Sequence, residues 1–250
     1  GFDEININVG CPSERVKSAC FGAALMAEPA TVARCVEAMR RAVKTPVTVK
    51  TRIGIDALDS YENLHSFIHT VASAGCDVFI IHARKAWLTG LSPRQNRHIP
   101  PLRYDVVGQL AQDFPGLSFV LNGGIKTVED CLLHLEMFDG VMLGREPYAN
   151  PFMLADIDAR IFNVDSKLTT RANVFSRYVD YIEAELAKGI ELRHMSRHAT
   201  GLFQGEPGAR SWRRYLSDRQ SEPGAGVEVL HDAFQSMLTV AETARERSQL

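Results

Sequence analysis

Short apolar segments that alternate with amphipathic helical segments constrain this sequence more than any other feature. Five of them have the length of buried strands and are rich in β-branched or apolar residues: 4–9, 47–51, 78–82, 118–121 and 140–143. Apolar positions at helical spacing predict helices between them, over 31–43, 61–72 and 128–135. Strands that alternate with helices pair in parallel through right-handed crossovers, so the sequence predicts an α/β fold.

Glycine-rich turns favour a barrel over a doubly wound sheet. A dinucleotide-binding fold would carry G-x-G-x-x-G after its first strand, and this sequence has no such motif there. Instead, Asn122-Gly123-Gly124 and Gly144-Arg145 follow the last two predicted strands, where barrels commonly bind phosphate. We therefore predict a (β/α)8 TIM barrel with strands four to eight in this chain and the first three strands missing from it.

The periodicity changes after about residue 155. Segments 170–188, 192–203 and 227–244 have helical spacing, and no strand segment lies between them. We predict a partial TIM-barrel domain over 1–155 and a small all-α helical domain over 156–250.

The bulk composition favours a cytoplasmic protein. No apolar stretch approaches the roughly 20 residues that cross a bilayer, and the N-terminus lacks a signal-peptide pattern. The five cysteines are scattered without a CxxC pair, so we expect free thiols: Cys11, Cys20, Cys35, Cys76 and Cys131. The net charge of −2 gives no global attraction to nucleic acid, so an RNA surface would need local clusters of arginine and lysine.

Cys11 is the first candidate reactive residue. It lies between Gly10 and Pro12, directly after the first strand, at the barrel end where loops supply catalytic groups. The alternative is a buried thiol that acts as a small hydrophobe, which is the expectation for Cys35 and Cys131 on apolar helix faces.

Cationic and imidazole side chains follow the next two strands. Alternation along the strand places Lys50 and Arg52 on one side, where an anion or a polarised ring could meet them. His82 ends the third strand and is a candidate ligand contact at the same end. Exposed charges and a core histidine are the structural alternatives.

The two glycine turns predict a phosphate site. Asn122, Gly123, Gly124 and Gly144 offer backbone N–H groups that side chains do not shield, and Arg145 adds a guanidinium. Plain tight turns are the alternative for each motif alone, but the two together favour the phosphate of FMN.

Basic residues cluster in two places. Arg84, Lys85, Arg94, Arg97 and Arg103 follow the third strand, and Arg210, Arg213 and Arg214 lie beside Trp212 and Tyr215. Arginine with aromatics suits RNA backbone and stacked bases, although a solvated face is the alternative. His194 and His198 are four residues apart without a zincin glutamate, so no metal is expected.

These motifs together resemble the tRNA-dihydrouridine synthases. The matching segments include N-V-G-C-P-S, V-K-T-R-I-G, I-I-H-A-R-K-A-W-L, N-G-G-I and V-M-L-G-R-E-P-Y. The stretch L-S-P-R-Q-N-R-x-I-P-P-L-R-Y resembles the A type in particular.

The resemblance implies a barrel that holds FMN, reduction of the flavin by NADPH, and hydride transfer to a flipped uracil in the tRNA D-loop at positions 20/20a. It implies that Cys11 is the general acid and that Lys50, His82 and the phosphate turns bind FMN. It implies further that Asn8 lines the uracil pocket and that four arginines grip tRNA: Arg94, Arg97, Arg210 and Arg213. A monomer without a membrane anchor is expected.

Two other functions remain open from the sequence. A flavoenzyme of a free pyrimidine, similar to dihydroorotate dehydrogenases, would share the barrel and its phosphate site but would not need the helical domain. A fragment that only binds RNA would lack a competent flavin site.

Overall fold

The computed structural model describes residues 1–13, 21–164 and 169–248. The chain divides into two compact units, Gly1–Leu143 and Gly144–Leu250. Cys20 lies outside the described residues.

The first unit is built on a five-stranded parallel sheet. Its strands are β1 (Ile5–Val9), β2 (Val47–Arg52), β3 (Val78–His82), β4 (Ser118–Asn122) and β5 (Gly140–Met142). Each strand pairs with the next one along the chain, in the order β1-β2-β3-β4-β5. A doubly wound sheet would reverse its strand order part-way, whereas five strands in sequence are consistent with part of a (β/α)8 barrel. The predicted α/β architecture is confirmed.

Helices connect these strands. They are α1 (Pro29–Ala42), α2 (Tyr61–Ser73), α3 (Tyr104–Asp113) and α4 (Val128–Leu135), with short 3-10 helices over Gly22–Ala27 and Gln95–Arg97. α2 buries Leu64, Phe67, Ile68 and Val71, as its periodicity predicts. α4 begins at a capping box in which Thr127 and Asp130 satisfy each other's backbone N–H groups, and this fixes its predicted bounds.

Cys35 corrects one expectation. α1 buries Val32 and Val36, but the Cys35 side chain is exposed rather than part of the apolar face. Cys35 immediately precedes Val36 on the helix, and a step of one residue turns a side chain about 100° away from its neighbour. The apolar stripe of α1 is therefore narrower than the sequence indicated.

The two faces of the sheet differ in chemistry. Phe79 and Phe119 lie side by side on one face, with ring centroids 6.1 Å apart, and both are fully buried. Because side chains alternate along a strand, Lys50, His82 and Asn122 lie on the opposite face. The core and the polar candidate residues are thus separated by the sheet itself.

The second unit is helical among its described residues. Its helices are α5 (Glu146–Ala149), α6 (Met153–Arg160), α7 (Arg171–Leu186), α8 (Arg193–Ser196), α9 (Ala209–Arg219) and α10 (Glu228–Ser248). Phe175, Phe203 and Trp212 form an aromatic core, in which the ring centroids of Phe203 and Trp212 are 5.0 Å apart. No helix in the described part of the chain is long and apolar enough to cross a membrane.

The predicted helix over 192–203 is wrong in its second half. Only Arg193–Ser196 is α-helical, and turns follow it. Gly201 packs directly against the backbone carbonyl of Ala149, where no Cβ would fit. The apolar spacing indicated a helix that continues to residue 203, but the chain instead turns and makes this tertiary contact.

Candidate functional site

Strand register brings the polar candidates onto one face of the sheet. Asn8 pairs with Lys50, while His82 lies between Arg52 and Asn122 in the register of the neighbouring strands. Paired residues of parallel strands point to the same side, so these side chains form two adjacent rows at the carboxyl ends of the strands. This is the end of a barrel at which active sites lie.

Lys50 is the central cation of this face. Its Nζ donates to Oδ1 of Asn122 at 3.0 Å, and Nδ2 of Asn122 donates to the carbonyl of Met142 at 2.7 Å. Burial, followed by the charge of Arg52, lowers the pKa of Lys50 to about 8. Within the described residues no carboxylate pairs with Lys50, so the face suits an anionic or electron-rich group.

The Asn122-Gly123-Gly124 turn depends on its glycines. Gly123 and Gly124 have φ of +111° and +79°. A Cβ on Gly123 would lie 2.5 Å from Cδ2 of His82, and one on Gly124 would lie 2.7 Å from Oη of Tyr104. The Tyr104 hydroxyl holds the turn by donating to the carbonyl of Gly123 at 2.6 Å. The turn therefore presents bare backbone beside His82, as a phosphate- or ring-binding loop requires.

Asn8 shapes the turn that carries Cys11. Its Oδ1 accepts from the backbone N–H of Gly10 at 3.0 Å and from that of Cys11 at 3.1 Å. The carbonyl of Cys11 in turn accepts from the N–H of Ala23 at 2.9 Å. Because Oδ1 already accepts two bonds, the Nδ2 group of Asn8 is the part of this side chain that remains to donate.

Cys11 differs from the core cysteines. It is half-buried at the end of β1, whereas Cys76 and Cys131 are buried. Burial raises the pKa of Cys76 to about 12 and also raises the pKa of Cys131. Those two thiols behave as small hydrophobes. Cys11, in contrast, lies next to the polar face, where its backbone N–H donates to Asn8.

Arg52 has a role that the sequence did not indicate. Its Nε donates to the carbonyl of Gly10 at 2.9 Å, and its Nη1 donates to the carbonyls of Lys85 and Asn96 at 3.1 Å each. The side chain is thus committed to three backbone carbonyls from two loops. Sequence alternation located Arg52 on the correct side of β2 but could not identify these distant partners.

Asn96 organises the long loop after β3. It is fully buried, its Oδ1 accepts from the N–H of Trp87 at 2.8 Å, and its Nδ2 donates to the carbonyls of Trp87 and Leu91 at 2.9 and 3.2 Å. Buried polar side chains are costly unless they are hydrogen-bonded, so this residue fixes the loop in one conformation. The sequence did not single out Asn96, because it lies among charged and aromatic residues that drew the interpretation toward RNA binding.

The basic cluster of this loop separates into paired and unpaired charges. Lys85 forms a 2.6 Å ion pair with Asp59 and lies over the ring of Trp87, and Arg103 pairs with Asp105 at 2.6 Å. Arg94 and Arg97 are exposed, and neither forms an ion pair with another described residue. These two predicted tRNA contacts are therefore available to an anion.

The second basic cluster lies on α9. Arg210 is exposed, and Arg213 donates to Oε1 of Gln204 at 3.1 Å. Trp212 is fully buried and donates to the carbonyl of Ala199, so it cannot stack on a base as its neighbourhood in the sequence suggested. The Tyr215 hydroxyl donates to Oδ2 of Asp232 at 3.1 Å.

Gly144 and Arg145 are the first two residues of the second unit, and Leu143 separates them from β5 in the sequence. Their membership in one phosphate site with Gly123 and Gly124 stays a prediction. Groups of three or more metal-ligating side chains do not occur among the described residues, which include His194 and His198.

Comparison with known proteins identifies the family. The model for "Dihydrouridine synthase (Dus)" matches residues 1–238. This chain belongs to the dihydrouridine synthase family. The polar face of the sheet is accordingly the candidate active site of a dihydrouridine synthase, and the family generally uses FMN and NAD(P)H.

Curated relatives are closely similar over most of the chain. The tRNA-dihydrouridine(20/20a) synthase of Vibrio cholerae is 56% identical over 94% of this chain and 72% of the relative. The protein of the same name from Shewanella oneidensis is 56% identical over 96% of this chain and 71% of the relative. Among solved structures, a dihydrodipicolinate synthase from Agrobacterium tumefaciens covers 94% of this chain and 86% of its own, with 13% identity and a TM-score of 0.40.

Proposed function

We propose that this protein is a tRNA-dihydrouridine(20/20a) synthase, an enzyme that reduces uridine in the D-loop of tRNA. The observation that carries the proposal is the pair of adjacent rows that hold Asn8, Lys50, His82 and Asn122 beside Cys11, in a chain 53–56% identical to synthases of that name. A face of this composition suits a polar heterocycle at the catalytic end of the strands.

FMN is the proposed cofactor, and NADPH is the proposed reductant. The residues that would hold FMN are Lys50, His82, Asn122, Gly123 and Gly124, together with Gly144 and Arg145. Their chemistry fits: Lys50 is a largely buried cation with a neutral partner, and the glycine turn leaves no side chain between its backbone and a ligand. When bound, the reduced flavin supplies the hydride for C6 of the uracil ring.

Cys11 is the proposed general acid. Its thiol proton would pass to C5 of the uracil as the hydride reaches C6, so the two hydrogens of the product come from different sources. The backbone of Cys11 is held by Asn8 on one side and by Ala23 on the other. This arrangement fixes the acid at the end of β1.

Asn8 is proposed to contact the uracil while it positions Cys11. The two bonds to Oδ1 leave Nδ2 as the free donor, which suits a uracil carbonyl oxygen. A single amide would thus orient the substrate and the acid relative to each other.

Arginines are the proposed tRNA contacts: Arg94, Arg97, Arg210 and Arg213. Arg94, Arg97 and Arg210 are exposed, and Arg213 has only a neutral partner. Because a stacked base hides the face of its ring, the target uridine must leave the stack, and phosphate contacts would hold the surrounding backbone in place.

The predicted division of labour belongs to the same proposal. The flavin domain would span 1–155 and the tRNA-binding domain 156–250, in a cytoplasmic monomer.

Oxidation of the reduced flavin tests the function. The holoenzyme is reduced by NADPH without oxygen, and unmodified tRNA, free uracil or orotate is added while the flavin absorbance is followed. We expect rapid reoxidation by tRNA alone. Reoxidation by a free pyrimidine but not by tRNA would support the dihydroorotate dehydrogenase-like alternative, and failure to retain flavin would support an RNA-binding fragment.

A further inference from the structure

One surface of the second unit has polar side chains that the proposed function does not use. Tyr148, Arg197 and His198 form a hydrogen-bonded group, here called the Tyr148 triad. The hydroxyl of Tyr148 lies 2.9 Å from Nδ1 of His198, and Nε of Arg197 donates to Nε2 of His198 at 3.2 Å. The rings of Tyr148 and His198 meet edge to face at 5.8 Å.

A close backbone approach builds the triad. Tyr148 is on α5, fifty residues before His198 in the chain. The backbone of Ala149, the next residue, packs directly against Gly201, where any Cβ would collide. The Thr200 hydroxyl donates to the carbonyl of Arg197 at 3.3 Å and stabilises the same turn. The geometry of the triad is therefore set by the fold.

The hydrogen-bond directions within the triad determine which of its atoms remain free to donate. Because Nε2 of His198 accepts from Arg197, the proton of the neutral ring is on Nδ1 and is donated to the Tyr148 oxygen. The Tyr148 O–H and the two Nη groups of Arg197 then remain as donors. Tyr148 is 59% exposed, and no other described residue accepts from the Arg197 guanidinium. The triad thus presents donors to solvent.

A stacked pair of tyrosines lies near these donors. Tyr181 is 50% exposed and stacks on Tyr178, with centroids 5.8 Å apart. The Tyr178 hydroxyl donates to the carbonyl of Met195 at 2.9 Å, which ties α7 to α8. The same carbonyl of Met195 accepts from the backbone N–H of His198 at 2.9 Å, so the stacked tyrosine pair lies next to the triad.

We propose that the Tyr148 triad is an RNA-backbone contact, in which Arg197 and Tyr148 donate to phosphate oxygens of the bound tRNA. The inference rests on the proposed function, since it takes tRNA as the ligand. A guanidinium next to a neutral phenol donor matches an oxyanion, and exposed tyrosine rings favour a nucleic acid over a simple anion.

Salt-dependent binding of unmodified tRNA to the full-length protein tests the triad. Loss of one charged phosphate contact should weaken binding roughly tenfold in Arg197→Ala and lower the slope of log K against log salt by about 1. Tyr148→Phe removes a neutral donor, so binding should weaken several-fold while the slope stays unchanged. Arg197→Lys keeps the charge and should restore the slope.

Arg245→Ala is the matched control, because it removes the same charge from an exposed position on α10 outside the triad. It should bind tRNA as the wild type does. Equal weakening in Arg245→Ala and Arg197→Ala would overturn the proposal, since it would indicate a general charge effect. Melting temperatures are measured in parallel, and a lower melting temperature with unchanged binding would assign the triad a purely structural role.

The two proposals fail differently in this experiment. If the wild type does not bind tRNA, the proposed function itself is contradicted. If the wild type binds tRNA and Arg197→Ala binds it with the same affinity and slope, only the role of the triad is wrong.

Discussion

Lys50 illustrates, at the scale of one residue, how the fold prepares a site. A lysine ammonium in a largely buried position loses hydration that Asn122 alone does not replace, and its pKa falls to about 8. The charged form of Lys50 is disfavoured further at the carboxyl end of β2, because Arg52 adds a second positive charge there. An electron-rich ligand on this face would stabilise the Lys50 ammonium against both its lost hydration and its repulsion by Arg52.

The stability of flavin-free protein should therefore depend on Lys50 and on pH. The unfolded lysine titrates near its ordinary value of 10.5, above the folded value of about 8. Between these values the unfolded chain binds more protons, so the free energy of unfolding should rise with pH, by about 3 kcal/mol from this group. Urea unfolding of the wild type and Lys50→Met between pH 7 and 10 measures the difference. Parallel pH profiles would contradict the account.

Cys11 allows the two half-reactions to be separated. Cys11→Ala should leave reduction of the flavin by NADPH intact and should lower uridine reduction about 10²- to 10⁴-fold, because only the second step needs the acid. Cys35→Ala is the control, since that thiol is exposed on α1 and away from the strand ends. Stopped-flow absorbance follows each step. Equal loss in both steps would refute the role of Cys11 as an acid.

The sequence predicted some secondary-structure elements more accurately than others. α4 has its predicted bounds because its capping box is local, and β3 ends at His82 as its apolar run indicates. The loop after β3 could not be predicted, since its conformation depends on a bond from Arg52, 33 residues before Lys85, and on bonds that the buried Asn96 makes across the loop to Trp87. Long-range contacts also ended the helix predicted over 192–203.

Asn96 should be the most sensitive position in that loop. Asn96→Ala leaves the N–H and carbonyl of Trp87 without their partner, so we expect the free energy of unfolding to fall by about 2–4 kcal/mol. Gln95→Ala changes an exposed neighbouring amide and should cost less than about 1 kcal/mol. Chemical denaturation provides both values. Similar losses in the two variants would show that Asn96 does not hold the loop.

At the scale of the whole molecule, the distribution of charge matters more than its sum. The net charge is −2, yet exposed arginines occur in both compact units, including Arg94, Arg97 and Arg210. The sequence located these clusters but could not separate Arg94 and Arg97 from Lys85 and Arg103, whose carboxylate partners appear only in the fold. The strand order was predictable from the alternation of strands and helices together with the glycine turns, whereas the pairing of charges was not.

Substitutions on α9 test the role of the second unit in binding. Arg210→Ala and Arg213→Ala should each weaken tRNA binding and reduce the salt slope by about 1. Arg219→Ala is a control on the same helix, because Arg219 pairs with Glu222 at 3.0 Å. Titrations at several salt concentrations measure both quantities. Unchanged affinity in the two test variants would contradict the assignment.

Mass spectrometric mapping of the product tests the central claim most directly. Unmodified tRNA is incubated with the full-length protein, FMN and NADPH, and nuclease fragments are compared before and after the reaction. We predict a gain of two hydrogens on uridine at D-loop positions 20 and 20a, the positions in the names of the relatives. No gain at those positions from a protein that retains flavin and binds the tRNA would contradict the account.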